Sequence, residues 1–316
     1  MRAFYASIGV PLIALAAACK PDLGAPVSLV DQPRYLAVVA DPPEAKPGDT
    51  VKLHALIARP DGTVADDAPA SWAVCTTSKP VSQNNAVSDD CIFEAQNPVP
   101  TRALSVDVTV PTDACARFGP DPPQSKPGEP PLRPVDPDPT GGYYQPVRSL
   151  LEIAPKQYIA SIGLPRITCN LADAPIDVAL AFRDRYVTNT NPVIATVLLS
   201  SDGVKGVDVT TVQQVHAGAE VTFLVRWTAG SAEGYPLFDR STRTLVDRRE
   251  ALRVSWFTTA GEYEHDHTGA GEDDPAVETQ NLWTAPATPG VVHLWVVLRD
   301  SRGGSDVRGF DVEVVP

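Results

Sequence analysis

The sequence predicts an all-β protein: two β-sandwich domains in tandem, with a proline-rich loop and one short helix between the modules. Three observations lead to this prediction. Apolar and polar residues alternate in short runs, turn residues separate the runs, and the order of the runs recurs along the chain. A chain of 316 residues is long enough for two domains that each bury a core.

The first element is an export segment. Met1 and Arg2 precede an apolar run over residues 3–15, and small residues at 16–18 lie directly before Cys19. This pattern resembles the signal of bacterial lipoproteins. The resemblance implies a signal peptide over residues 1–18 and attachment of a lipid such as palmitate to the Cys19 thiol. It also implies a location in the bacterial cell envelope, held by lipid at the outer membrane or its periplasmic face.

Two other interpretations of this segment remain open. The small residues Ala16 and Ala18 also satisfy an ordinary secretory cleavage site. An uncleaved membrane helix is the other alternative, although Gly9 and Pro11 interrupt the apolar run. After Cys19, several prolines and glycines predict a tether over residues 19–33.

The first sandwich is predicted over residues 34–172. Residues 51–57 alternate between apolar and polar side chains and end at Pro60-Asp61-Gly62, which is a turn signal. Further strands are expected around Trp72 and over residues 104–110, 146–153 and 166–171.

A proline-rich excursion interrupts this domain at about residues 116–142. Nine of the 21 residues from 120 to 140 are proline, so this stretch lacks backbone donors and apolar mass. Such a composition favours an extended connection over a strand or helix.

A helical linker is predicted over residues 173–191. Asp173-Ala174-Pro175 supplies a cap and an early proline for a helix over 176–186, and the residues ending in Pro192 stop it. We interpret this helix as a spacer or brace between the domains.

The second sandwich is predicted over residues 192–316 because the first pattern returns there. Residues 193–197 repeat the character of 35–39, and 218–223 repeat that of 48–53. A tryptophan strand follows in both cases, around Trp72 and Trp256.

A second resemblance rests on three short sequence segments: residues 46–51, 283–290 and 300–304. They resemble recurrent strands and turns of bacterial immunoglobulin-like and polycystic-kidney-disease-type domains. The whole chain is similar to bacterial lipoproteins that carry such modules. The resemblance implies two immunoglobulin-like sandwiches and no catalytic residues. It departs from antibody domains, since the second module has no cysteine.

Four cysteines remain after Cys19, and an even number in an exported chain favours two disulfides. Three connectivities are possible. We favour a local loop between Cys75 and Cys91, and a pair between Cys115 and Cys169 that closes the proline-rich excursion. A zinc knuckle is disfavoured because no two of these cysteines have its close spacing.

Composition limits the function. The chain has 26 basic and 39 acidic residues and a formal charge of −13, which argues against a nucleic-acid partner. The sequence has no H-E-x-x-H, G-x-S-x-G or Walker pattern, so we predict that the protein is not an enzyme. We expect a structural or adhesive module with an unknown protein or glycan partner.

An acidic stretch over residues 262–278 supports an alternative function, the binding of calcium, another metal or a glycan. Seven acidic residues and two histidines fall there without a lysine or arginine. No other cofactor is expected. A solvated hairpin tip explains the same composition without a ligand. The candidate ligands are imidazoles for a transition metal and carboxylates for calcium, namely His265, His267, Asp266, Glu272, Asp273 and Asp274.

The five tryptophans are expected to pack in cores, with one exception. Trp283 lies beside a turn, and we predict that it is exposed, where its indole face would offer a platform for a sugar.

Overall fold

The computed structural model describes residues 26–78, 87–94, 96–120, 126–129, 138–201 and 204–316. The predicted signal peptide, Cys19 and much of the proline-rich excursion therefore lie outside the described residues. Within the described ranges, the chain is all-β with three short helices: α1 Asp89–Phe93, α2 Ala114–Phe118 and α3 Ile176–Arg185. None of these helices is long and apolar enough to cross a membrane.

The strands before α3 build the first sandwich. Its sheets have the orders β1-β3-β4 with β7 also paired to β3, β10-β9-β5-β6, and β2-β11-β8, where the labels denote the following segments. The strands are β1 Arg34–Asp41, β2 Glu44–Ala45, β3 Thr50–Arg59, β4 Gly62–Thr63, β5 Ser71–Val74, β6 Pro98–Val99, β7 Ser105–Thr109, β8 Gly142–Tyr144, β9 Val147–Ala154, β10 Gln157–Gly163 and β11 Arg166–Thr168.

The core of the first sandwich follows the predicted alternation. Val51, Leu53 and Ile57 on β3 are fully buried and pack in one cluster with Trp72 and Val147 from the facing sheet. Because successive side chains of a strand point to opposite faces, this spacing places one side of β3 in the core.

The strands after α3 build the second sandwich from two five-stranded sheets and a separate hairpin. The sheet orders are β13-β12-β15-β21-β19 and β14-β23-β22-β18-β20, and β16 pairs with β17. The strands are β12 Ile194–Ser201, β13 Val204–Asp208, β14 Gln213–His216, β15 Glu220–Trp227, β16 Gly234–Asp239, β17 Thr244–Arg249, β18 Leu252–Thr258, β19 Glu262–Tyr263, β20 His267–Ala270, β21 Glu278–Thr284, β22 Gly290–Asp300 and β23 Ser305–Val315.

The two sandwiches share an immunoglobulin-like strand arrangement. The repeated sequence segments occupy equivalent strands of the two sandwiches. Strand β1 pairs with β3 in the first, and β12 pairs with β15 in the second. In each sandwich the tryptophan strand, β5 or β18, lies in the opposite sheet. The turns before β3 and β15 both use a glycine with positive φ, 94° at Gly48 and 72° at Gly218. Trp72 and Trp256 are both buried, as a central-strand tryptophan is in such domains.

The two sandwiches pack against each other through the outer faces of their sheets. Leu36 and Leu56 from the first sandwich meet Phe257, Trp295 and Val297 from the second in one buried cluster. Strand β22 is therefore covered on both faces, which explains its nearly continuous apolar sequence. This face-to-face contact makes a four-layer stack of sheets.

Part of the predicted tether is folded onto the second sandwich. The Val30 amide donates to the Thr258 carbonyl over 2.8 Å, and the Thr258 amide donates to the Ser28 carbonyl over 2.9 Å. Both Ser28 and Val30 are buried. The expectation of a free tether up to residue 33 is therefore wrong for these residues, because their backbone extends the edge of a sheet.

Part of the secondary structure was not predicted from the sequence. The expected helix over 176–186 forms as α3, but α1 and α2 were not predicted. Strands β8 and β10 and the β16–β17 hairpin were also missed. Each of the two extra helices has only five residues, which is too short to show a helical apolar period.

Candidate functional site

The predicted cysteine pairs both form. Cys75 is joined to Cys91, and Cys115 to Cys169, with Cα–Cα distances of 5.2 and 5.8 Å. Both bonds lie in the first sandwich and its loops. The pairing that the sequence favours is the one in the structure.

The acidic stretch does not gather its side chains at one point. The described residues contain no group of three or more His, Cys, Asp or Glu side chains placed to hold a metal ion. The side chains of His265 and His267 are exposed, and Asp266 accepts a hydrogen bond from the Ser28 amide over 3.1 Å.

The remaining candidate ligands are dispersed as well. Glu272 lies 4.0 Å from Arg248, and Asp274 accepts from the Ala276 amide. Asp273 is exposed beside them. The convergence that the alternative metal-binding hypothesis requires is therefore absent in residues 262–278, since the carboxylates accept from turn amides, form an ion pair and contact the N-terminal segment.

The prediction that Trp283 is exposed is wrong. Its relative exposure is 0%, and its ring lies 5.9 Å from that of Phe223 between the two sheets. Trp283 pairs with Val221 across β21 and β15, and both side chains share the inner face. The sequence position next to a turn was misleading because β21 continues to Thr284.

The most unusual group of the described residues is a buried cluster of charges between the sandwiches. We call it the polar junction. It joins residues from the first sandwich, from the segment around α3 and from the loops of the second sandwich. Its members are Glu44, Arg166, Tyr186, Asn189, Glu233, Glu250, Asp300 and Arg302.

Glu44 forms the end of the polar junction in the first sandwich. Its carboxylate is 3.4 Å from Arg166 Nε, and both side chains are almost fully buried. Thr168 Oγ1 donates to it over 2.8 Å, and the Asn189 backbone amide donates over 2.9 Å. Glu44 thus binds groups from its own sandwich and from the connecting segment.

Arg302 forms the end in the second sandwich. Its Nε donates to Glu250 over 2.5 Å, and its Nη2 donates to Glu233 over 2.7 Å. The guanidinium also lies 4.9 Å from the ring centroid of Tyr235, within the range of a cation–π contact. The Arg302 side chain is only 2% exposed, so these partners replace water almost completely.

Tyr186 connects the two ends. Its hydroxyl donates to Glu44 Oε2 over 2.7 Å and accepts from Arg302 Nη1 over 3.3 Å. The donor and acceptor capacities of one hydroxyl are both used in this way. The result is a continuous hydrogen-bonded path from the first sandwich, through the end of α3, to the second.

Burial and neighbouring charges shift the pKa values of several of these groups. Burial raises the pKa of Glu250 to about 7, aided by the nearby charge of Asp300 and opposed by Arg302. Burial also raises the pKa of Asp300, and it raises the pKa of Tyr186 to about 12. Loss of solvation lowers the pKa of Arg302, but the charges and hydrogen bonds of Glu250 and Tyr186 together outweigh this loss, and the pKa of Arg302 is raised.

This cluster was not predicted from the sequence, although two glycines leave the space that it occupies. A Cβ on Gly142 would lie 1.8 Å from the Arg166 guanidinium, and a Cβ on Gly304 would lie 2.1 Å from Asp300. These glycines, one in strand β8 and one in the turn before β23, provide room for buried charged side chains. In the sequence, they read only as turn residues.

Comparisons with known proteins add little. No family model matches the chain, and no curated protein matches it. Among solved structures, the Yersinia pseudotuberculosis adhesin InvE is similar at 10% identity and a TM-score of 0.23, over 89% of this chain and 58% of that one.

Two streptococcal structures give similar values. The C-terminal domain of the Streptococcus pyogenes antigen I/II-family protein AspA aligns at 10% identity and a TM-score of 0.25, over 90% of this chain and 100% of that one. The C-terminal domain of Streptococcus agalactiae BspA aligns at 10% identity and a TM-score of 0.23, over 90% and 99%. TM-scores this low do not establish a common fold.

Proposed function

We propose that the protein is a non-catalytic lipoprotein whose two immunoglobulin-like sandwiches act as one rigid structural, adhesive or protein-interaction module. The observation that carries the proposal is the contact between the sandwiches, which combines an apolar interface that includes Trp295 with the polar junction. A rigid body of this kind presents its loops to a partner in a fixed geometry, which lowers the entropy cost of binding.

The envelope location rests on the sequence around Cys19, which lies outside the described residues. Lipid on the Cys19 thiol would hold the N-terminus at a membrane, and two or more acyl chains would make the attachment stable. Ser28 and Val30, which are among the described residues nearest to the proposed anchor in sequence, lie on the second sandwich. The partner is then a protein or a glycan met at the cell envelope.

The anchor is tested by labelling the protein with palmitate in a bacterium that processes lipoproteins. Cys19→Ser should abolish the label and release the protein from the membrane fraction. A variant with Cys75 and Cys91 both changed to serine is the matched control, and it should keep the label. Label that persists in Cys19→Ser would overturn the lipid anchor.

The non-catalytic assignment is tested separately with the purified protein. We expect no turnover of ester, peptide, phosphate or glycoside substrates. A turnover that survives purification and is lost on substitution of a described residue would contradict the proposal.

A further inference from the structure

We infer that the polar junction is a proton-dependent latch between the two sandwiches. Its hydrogen bonds are formed in mildly acidic solution, which we call the closed state, and they break more often as the pH rises towards neutrality. The junction contains four carboxyl groups, those of Glu44, Glu233, Glu250 and Asp300, but only two guanidiniums. Full ionisation would therefore leave an excess of negative charge in a region with little water.

The four carboxyl groups differ in whether they contact an arginine and in whether they share it. Glu44 faces Arg166, whereas Glu233 and Glu250 share the guanidinium of Arg302. The hydrogen bonds to the Asp300 carboxylate come from uncharged donors. Asn189 Nδ2 donates over 3.1 Å, and the backbone amides of Arg302 and Gly304 donate over 2.9 and 2.8 Å. The unbalanced charge thus lies around Arg302, in the second sandwich.

Glu250 is the group that best retains a proton. Its side chain is 0% exposed, and Arg302 is the cation paired with it. Three elements bring other titratable groups near Glu250: Glu233 precedes β16, Tyr235 lies on β16, and Asp300 ends β22. Glu272 interacts with Tyr235. On the side of the first sandwich lies Tyr186, and beyond it are Glu44, Arg166, Asp138 and Tyr144. Adjacent Arg249 is used elsewhere, since its Nη1 donates to the Asp274 carbonyl.

The pKa of about 7 for Glu250 agrees with this geometry, and the direction of the effect follows from linkage. A carboxyl group whose pKa is raised in the closed state stabilises that state most at low pH. The stabilisation is lost as the pH rises from the ordinary value for glutamate to about 7, and little changes above that. Asp300 shifts in the same direction and adds to the effect.

Backbone amides report whether the latch is closed. The amides of Asn189, Thr190 and Glu233 donate to Glu44, Glu233 and Glu250, over 2.9, 3.2 and 2.9 Å. Opening of the junction frees these amides without unfolding the sandwich cores. Their hydrogen-exchange protection, corrected for the intrinsic pH dependence of exchange, therefore measures the closed fraction.

The experiment compares this protection between pH 5 and pH 7.5 in the wild type and in Glu250→Gln. We expect the wild-type protection factors to fall at least about tenfold, because each unit of pKa difference gives about a factor of ten. In Glu250→Gln, the fall should be about twofold or less. The matched control Glu278→Gln, which removes an exposed carboxylate paired with Arg226, should behave like the wild type. Equal falls in the wild type and Glu250→Gln would overturn the inference.

A second measurement applies even if Glu250→Gln fails to fold. Carbon NMR of the side-chain carboxyl groups in the wild type should show one glutamate that titrates with a midpoint near 7. If every glutamate carboxyl group titrates in the ordinary acidic range, the latch does not exist.

Discussion

The first sandwich carries both disulfides, whereas the second contains no cysteine and has two regular five-stranded sheets. The sheets of the first are smaller and more divided, with four, four and three strands. Long connections interrupt it between β5 and β6 and between β7 and β8. The disulfides lie at these connections, so the crosslinks accompany long connections between strands.

This difference shows that one strand arrangement can be stabilised in two ways. In the second sandwich, aromatic rings fill the space between the sheets, with Phe223 in contact with Tyr263, Trp283 and Phe310. In the first, the central cluster has Trp72 and Tyr143 as its fully buried aromatic side chains. A crosslink compensates for a smaller packed core by limiting the freedom of the unfolded chain.

Reduction of both disulfides should give the largest effect and should separate the two sandwiches. Loop-closure entropy predicts a loss of about 4 kcal/mol for the 54-residue separation of Cys115 and Cys169, and about 3 kcal/mol for the 16-residue separation of Cys75 and Cys91. Hydrogen exchange with and without reductant measures the loss strand by strand.

The outer sheet of the second sandwich is the control for this prediction. Strands β12, β15 and β21 lie away from the disulfides and from the apolar interface, and they should keep their protection. Equal loss of protection in β3 and β15 would show that the sandwiches do not differ in their source of stability.

Trp283→Ala tests the packing of the second sandwich. Removal of a fully buried tryptophan should lower the free energy of unfolding by about 3–5 kcal/mol. Val291→Ala is the control, because this valine is 60% exposed and its loss should change stability by no more than about 0.5 kcal/mol. Urea denaturation measures both, and a small effect for Trp283→Ala would place its side chain at the surface.

Arg302→Met tests how much the polar junction contributes to the free energy of unfolding. The substitution leaves Glu233 and Glu250 without their guanidinium, and breaking a buried pair costs about 3–5 kcal/mol. Arg226→Met removes an exposed pair with Glu278 and should cost no more than about 1 kcal/mol. Similar losses for the two variants would mean that the junction contributes no more than a surface ion pair.

Calcium or zinc should have the smallest effect. Because the side chains of residues 262–278 do not converge, millimolar metal should change the free energy of unfolding by less than about 0.5 kcal/mol. The variant with His265 and His267 both changed to alanine is the comparison. A metal-dependent stabilisation above about 1 kcal/mol that this variant loses would restore the metal hypothesis.

The sequence predicted most of the fold because alternation and turns are local signals. Strand β3, helix α3 and the burial of Trp256 followed from local patterns, and the favoured one of three possible cysteine connectivities is the one that forms. The burial of Trp283 was not predicted, because it depends on the pairing of β21 with a strand about 60 residues away, where Val221 is the partner of Trp283. Contacts at long sequence separation leave no periodic pattern.

The polar junction was not predictable for the same reason. Glu44 and Tyr186 are 142 residues apart, and Arg302 and Glu250 are 52 apart. In the sequence, each is an ordinary charged or aromatic residue beside a turn. Only the packing of two sandwiches shows that they share one buried space and that their charges are unequal in number.

Residual dipolar couplings of backbone amides test most directly whether the two sandwiches form one rigid body. Measured at a pH of about 6, below the pKa of about 7 for Glu250, couplings from both sandwiches should fit a single alignment tensor. If each sandwich instead requires its own tensor with a different magnitude, the sandwiches move independently, and the rigid-module account is wrong.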